Sequence, residues 1–289
     1  MRKLCAWSLG MYCLLFSPAC TTNVISAPTS ETQSLHHEEI LQKLGQADVI
    51  YLGETHDSLE DHQAQLDIIQ SLYSQNPKIA VAMEMFQHPF QDVLDAYLAG
   101  EITEAQLIEQ TEYEQRWGFP WEYYAPILRF AQAQNLPVLA INTPTEITRK
   151  VAQEGLESLT NDEKAQIPPL SEIDRQSPAY RQMLREVYEM HAHGGHGNSD
   201  SFERFFTAQV LWDETMAFHI AQFLQANPNY QVIVLAGKGH IVYGYGIPNR
   251  VARRLQDSNF VQYSVLFNPS PDELVKEGEI ADYFWNSYE

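Results

Sequence analysis

Two short stretches of this chain set an imidazole three residues after a glycine, Gly53-Glu54-Thr55-His56 and Gly237-Lys238-Gly239-His240. Each follows an apolar run, Asp48 to Leu52 in the first case and Tyr230 to Ala236 in the second. Glycine lets the backbone turn tightly, and a histidine just beyond it then projects over the edge from which the run emerges. Two further apolar runs, Ile79 to Met83 and Pro137 to Ile141, are followed by Glu84 and Asn142. Neutral imidazole with carboxylate suits zinc, manganese or iron, and it also suits proton transfer near neutral pH. The candidate catalytic residues are therefore His56, His240, Glu54 and Glu84, with one histidine as base and one acid as its partner or as a metal ligand. The candidate ligands for a divalent metal are His56, His62, Glu84 and His240. Taken alone, each turn reads equally as a satisfied loop histidine, and His62 as a hydrogen-bonded core histidine. The pairing of two such turns with two acids is what points to a shared site.

The elements that must position these residues follow from the spacing of apolar positions. Helical periodicity runs over 36–46, 58–73, 89–98, 103–110, 121–134 and 201–225, with Ser58 placed to cap the second of these. Short apolar runs between them read as strands, and Val261 to Phe267 reads as another. Val251 to Leu255 looks helical. Strands alternating with helices too long for hairpins imply an α/β fold, a largely parallel sheet with helices on both faces. In such a sheet ligands bind beyond the carboxyl ends of the strands, where the two turns fall. Residues 160–199 break the alternation with Pro168-Pro169, Pro178 and the loop His191-Ala-His-Gly-Gly-His196. They read as a helical cap inserted over the sheet.

Composition narrows the function. Arg2 and Lys3 precede an apolar stretch from Leu4 to Phe16 and then Ser17-Pro18-Ala19-Cys20. This pattern predicts a signal peptide over 1–19, lipidation of Cys20, a polar tether over 20–35 and a domain over 36–289. Ser17 departs from the usual lipobox, which carries leucine there. The chain is then expected in the cell envelope, lipid-anchored to a membrane and facing the periplasm or the exterior. All three cysteines lie in this leader, so the domain has no thiolate to offer a metal. The net charge of −20, which becomes −22 without Arg2 and Lys3, repels nucleic acid. No Gly-x-Ser-x-Gly elbow, phosphate-binding glycine loop or His-Glu-x-x-His helix is present. Asp213 and Glu214 fall inside the long helical pattern, where they read as solvated charge or as support for the cleft.

Gly53-Glu-Thr-His56, Glu84-Met-Phe86, Trp212-Asp-Glu-Thr-Met-Ala217 and Gly239-His240 with Gly246-Ile-Pro-Asn-Arg250 together resemble the ChaN family of haem-binding uptake lipoproteins. That family is similar to the wider superfamily of Tiki metalloproteases and erythromycin esterases. The resemblance spans Ile40 to Phe267. It implies an iron-linked surface protein that binds haem at a homodimer interface through tyrosine and histidine, with an outer-membrane haem receptor as a further partner. The hydrolytic relatives imply instead that the two turn histidines and an acid activate water or hold a metal.

Haem needs an apolar slot and an axial donor, and tyrosine phenolate is one that ferric iron takes. The candidates on the cap are Tyr188, His191 and His193, with His196 close behind, although a polar loop would carry the same histidines. The alternative tyrosines are Tyr243 and Tyr245 near His240, and Arg250 is placed to meet a propionate or a cleft carboxylate. The aromatic cluster Trp117, Trp121, Tyr123 and Tyr124 reads as core rather than as a haem wall. Three functions compete: a haem-binding lipoprotein, a hydrolase of the cleft, and an envelope protein without catalysis.

Overall fold

A computed structural model describes residues 30–192, 199–276 and 279–287. The leader, Cys20 and the loop residues His193 and His196 lie outside the described residues. Six parallel strands form one sheet in the order β3-β2-β4-β1-β5-β6. They are β1 (Val49–Glu54), β2 (Ile79–Gln87), β3 (Val138–Asn142), β4 (Gln231–Gly237), β5 (Gln262–Phe267) and β6 (Tyr283–Trp285). The helices are α1 (Ser30–Leu44), α2 (Leu59–Gln75), α3 (Gln91–Leu98), α4 (Glu104–Gln110), α5 (Tyr113–Arg116) and α6 (Trp121–Gln134) in the first half. The second half carries α7 (Thr145–Glu154), α8 (Asn161–Lys164), α9 (Pro178–Ala192), α10 (Ser199–Ala226), α11 (Ile247–Leu255) and α12 (Pro271–Leu274). The expected α/β class and parallel sheet are what the molecule has.

Period-two alternation sorts the sheet's side chains between two cores. Ile50, Leu52, Ile233 and Leu235 join the core under α1 to α6, whereas Val49, Tyr51, Val232 and Val234 join the core under α10 and α11. Both faces are covered, which is why the central strands β1 and β4 are buried at every position. The same parity decides which face each acid serves. Glu54 follows Leu52 toward the α2–α6 layer, and Glu84 follows Ala80 and Ala82 toward the α10 layer.

Chain direction across the sheet reverses between β1 and β4. The chain runs from β1 out to β3, returns to place β4 between β2 and β1, and continues to β5 on the other side of β1. Such a reversal opens a crevice at the carboxyl ends of the two strands. The turns bearing His56 and His240 leave those ends, where Glu54 is in register with Gly237. The cap also forms. Helices α7, α9 and the first half of α10 bury their own apolar cluster around Tyr180, Leu184, Phe202 and Phe206.

Several boundaries differ from the sequence reading. Glu84 lies inside β2 rather than after it, because β2 continues past a register irregularity to Gln87. Helix α11 begins four residues earlier than its periodicity suggests, at Ile247, with Pro248 in its first turn. Strand β6 has no counterpart in the sequence reading, since three residues carry no periodicity and β5 supplies the pairing. Among the described residues no helix is long and apolar enough to cross a membrane.

Candidate functional site at the strand ends

The two turns and the cap enclose a cavity of about 470 Å³. Its floor carries Glu54, His56, Gly237 and His240, and its walls carry Phe119, Met183, Leu184, Val187, Phe205 and Gln209. The cleft is therefore acidic and imidazole-bearing below and apolar above, and the cap helix α9 forms much of the apolar side.

Each histidine is held by its own acid, and each acid is anchored from a different helical layer. His56 Nδ1 lies 2.9 Å from Glu54 Oε1. Glu54 is almost fully buried and accepts hydrogen bonds from the Tyr124 hydroxyl of α6 and, at 2.7 Å, from Gln65 Nε2 of α2. On the other face, His240 Nδ1 lies 2.7 Å from Asp213 Oδ1 of α10 and 3.1 Å from Gln209 Nε2. The Tyr180 hydroxyl of α9 donates to the second oxygen of Asp213. Glu84 stands between the two histidines. Its Oε2 accepts the Gly237 N–H at 2.7 Å, and its Oε1 is 3.4 Å from His240 Nε2.

Glycine is required twice in this arrangement. A Cβ at Gly237 would lie 2.8 Å from both Cε1 and Nε2 of His56, so the imidazole rests directly over that strand end. A Cβ at Gly246 would lie 2.1 Å from the His240 carbonyl oxygen, inside the turn that seats His240.

Burial and charge set the protonation of the three titrating groups. Burial disfavours the charged form of His240, but the adjacent Glu84 and Asp213 outweigh it and lift its pKa to about 10. His240 is thus an imidazolium at neutral pH. For His56, burial again opposes charge, and the Glu54 hydrogen bond with the fields of Glu84 and Glu54 raises the pKa above the ordinary histidine value. Burial pushes Glu84 up, yet His240, His56 and the Gly237 N–H hold its carboxyl below the usual carboxylate range. Chemically, the cleft offers a fixed positive charge at His240 and a proton-exchanging ring at His56. The hydrogen bond from Nδ1 of His56 leaves Nε2 as the atom for a bound molecule.

Of the four candidate catalytic residues, Glu54, His56 and His240 line this cavity, and Glu84 stands beneath its lining, bonded to the Gly237 N–H and beside His240. His62 does not line the cavity. Its Nε2 lies 3.1 Å from the His56 carbonyl oxygen and its Nδ1 3.2 Å from Gln65, so it props the first turn from behind. Among the described residues no group of three or more His, Cys, Asp or Glu side chains is placed to hold a metal ion. The reason lies in the hydrogen bonds. Both ring nitrogens of His62 face the His56 carbonyl and Gln65, and Glu84 accepts the Gly237 N–H, so the four expected metal ligands do not form a coordination shell.

The haem candidates fall in different places. Tyr188 lies on α9, half-buried, with its ring against Phe202 and Phe205 of α10, and Met190 beside it is 65% exposed. His191 lies in the last turn of α9. Tyr243 and Tyr245 stack on each other but neither lines the cavity holding His240. Tyr243 faces a separate groove with Tyr51 and Gln262, and Tyr245 packs toward Tyr180. Arg250 is buried and turned elsewhere. Its Nη1 donates to the carbonyls of Tyr245 and Gly246, and its Nε is 3.3 Å from Glu214 rather than near a cleft carboxylate.

Asp213 and Glu214 correct the reading of these acids as solvated charge, for both are wholly buried. Asp213 belongs to the cleft, whereas Glu214 serves a group of arginines behind it. The residues missed are Gln65, Gln209 and Tyr180, and Tyr124 was read only as core. The available signal for Gln209 was that it lies four residues before Asp213 on one helix and so shares its face.

Comparison with known proteins finds several likenesses. In the Arabidopsis thaliana protein RETICULATA-RELATED 5, chloroplastic, 25% of 272 aligned residues are identical, covering 86% of this chain but only 35% of that protein's length. The structure titled as cofacial haem binding to ChaN of Campylobacter jejuni superposes with a TM-score of 0.64 at 20% identity, covering 86% of this chain and 90% of that one, and shares the fold. An erythromycin esterase in its open conformation superposes at 0.47 with 17% identity, covering 82% of this chain and 76% of that one, too distant to bear on chemistry. A family model described as haem-binding uptake, Tiki superfamily, ChaN matches residues 40–251, a span that holds every strand-end residue of the cleft, and the chain belongs to that family.

Proposed function

We propose that this protein is a haem-binding lipoprotein of the cell envelope that serves haem and iron uptake. The observation that carries the reading is the family match across residues 40–251. The residues present fit a haem on the cap better than in the cleft. Every cysteine lies in the leader, so the axial donor is tyrosine or histidine. Tyr188 brings a phenol flanked by Phe202 and Phe205, whereas both ring nitrogens of His240 already face carboxylates, Asp213 and Glu84. Bound there, haem would supply a ferric centre for tyrosinate, with His191 as a second contact. A flat macrocycle needs cover on both faces, and one helix gives one. A twofold pairing of α9 with its copy supplies the other, in keeping with the cofacial binding named for the Campylobacter jejuni relative. Titrating haem into the protein, with absorption and sedimentation followed together, tests this. Saturable binding with a haem-dependent doubling of mass is expected, and spectra unchanged by the protein would refute it.

The cleft supports a second reading, hydrolysis by acid–base chemistry without a metal. It is favoured by two histidines on one cavity, each with its Nδ1 paired to a buried carboxylate. His56 would take a proton from water while the His240 imidazolium steadies developing negative charge. His56→Ala should abolish any ester or amide hydrolysis without unfolding the domain, and activity retained in that variant would exclude His56 as the base.

A further inference from the structure

Behind the cleft, between α10 and α11, lies a second cavity of about 490 Å³ that neither reading uses. Its chemistry begins with an uneven set of ion pairs. Three guanidinium groups converge on the one buried carboxylate of Glu214: Arg253 Nη2 at 2.7 Å, Arg254 Nη1 at 2.6 Å and Arg250 Nε at 3.3 Å. The remaining acids, Glu172 and Asp174, are nearly half exposed and stand 3.5 Å from Arg254 and 3.9 Å from Arg253. Three guanidinium groups therefore meet three carboxylates here, but only one of those carboxylates is buried and close.

A structural clamp would account for part of this grouping, since Arg253 also donates to the Glu172 carbonyl and ties the cap's approach segment to α11. It does not account for Arg254. That side chain is 9% exposed, and both its Nε and its Nη2 are buried without a hydrogen-bond acceptor. These two atoms form one edge of the guanidinium, the fork that takes the two oxygens of a carboxylate side by side. Leaving such an edge unsatisfied is costly, so its natural complement is an oxyanion. The cavity beside it is lined by the amides of Gln222, Gln225 and Gln256 and by the ring of Phe218. Amides both donate and accept, which suits hydroxyl and carbonyl groups, and the volume is that of a small organic ligand rather than of a lone ion.

We infer that this pocket binds a small organic carboxylate through the Nε and Nη2 edge of Arg254, with the Glu172 carboxylate as the group the ligand displaces. Glu172 holds its place by a long contact at the surface, so it swings out at little cost, and it occupies the edge with the same chemistry that the ligand brings. A carboxylate is favoured over a phosphate dianion because the surrounding chain is strongly acidic and a second negative charge would be repelled.

Isothermal titration calorimetry of the full-length protein with malate and, separately, with inorganic phosphate tests the site. Malate should bind saturably, Glu172→Gln should tighten it at least fivefold by removing the competing charge, and Arg254→Lys should weaken it at least tenfold while near-ultraviolet circular dichroism stays native. Glu172→Gln replaces an exposed side chain and so keeps the test informative if Arg254→Lys misfolds. Absence of malate binding in both wild type and Glu172→Gln overturns the site, as does equal binding by folded Arg254→Lys. Binding of phosphate but not malate overturns the carboxylate assignment. Haem titration of Glu172→Gln should match wild type, which separates this pocket from the cap.

Discussion

His240 sits between two carboxylates, and that placement makes its charge a measurable part of the fold. Its pKa is raised to about 10, so the stability it contributes is fully present below the ordinary histidine value near 6.5. That stability is lost as pH rises toward 10, since the folded state then gives up a proton that the unfolded state has already lost. Denaturant unfolding between pH 7 and 10 should show the decline, and Asp213→Asn should flatten it and lower the His240 titration seen by NMR. A His240 that titrates near 6.5 in the native wild type would contradict the assignment. Much of this residue-level picture was legible beforehand. The glycine turns marked His56 and His240, and the acids after the apolar runs marked Glu54 and Glu84. Asp213 was legible only as one of two readings, solvated charge or support for the cleft, because an aspartate in mid-helix between Trp212 and Glu214 carries no sign of which distant turn will meet it. Nor could Tyr124 and Tyr180 be read as supports, since their roles depend on hydroxyls meeting acids brought in by β1 and α10.

At the scale of elements, the cleft depends on strand β4 ending in a residue without a side chain. Gly237→Ala drives a methyl group into the His56 ring, so the turn after β1 must shift. A loss of about 1–3 kcal/mol in unfolding free energy is expected for such overpacking, together with a His56 titration moved toward the ordinary histidine value as Glu54 is left behind. Unchanged stability and titration would show that the ring does not lie over the strand end. The capping of α2 is simpler. Ser58 accepts the Asp61 N–H, and Ser58→Ala should cost about 1 kcal/mol, read from thermal or denaturant unfolding. Such local signals explain why five strands and the main helices could be read from periodicity. Strand order could not. Parallel strands look alike in sequence, and only the return of the chain through α7 to α10 places β4 between β1 and β2. The cap itself was foreseen from its prolines, but not that α9 would wall the cavity with Met183, Leu184 and Val187.

For the whole molecule, the acidic cleft and the aromatic cap share a wall, since Phe205 lines the cavity and also packs on Tyr188, whereas the arginine pocket lies between α10 and α11. The arginine pocket shares no lining residue with the cleft, so a small carboxylate proposed there would not compete with a cleft substrate. Anchoring is a separate question. Cys20→Ser should move the protein from the membrane fraction to the soluble one or leave its precursor unprocessed, and unchanged membrane association would count against the lipid anchor. Haem ligation is tested most directly by the absorption spectrum of haem-loaded Tyr188→Phe beside wild type. The change removes the phenolic oxygen and keeps the ring against Phe202 and Phe205. Wild type should show a high-spin ferric tyrosinate spectrum that Tyr188→Phe abolishes, while Tyr243→Phe and Tyr245→Phe leave it intact. An unaltered spectrum and affinity in Tyr188→Phe, with the band lost in either of the other two, would contradict haem binding on the cap.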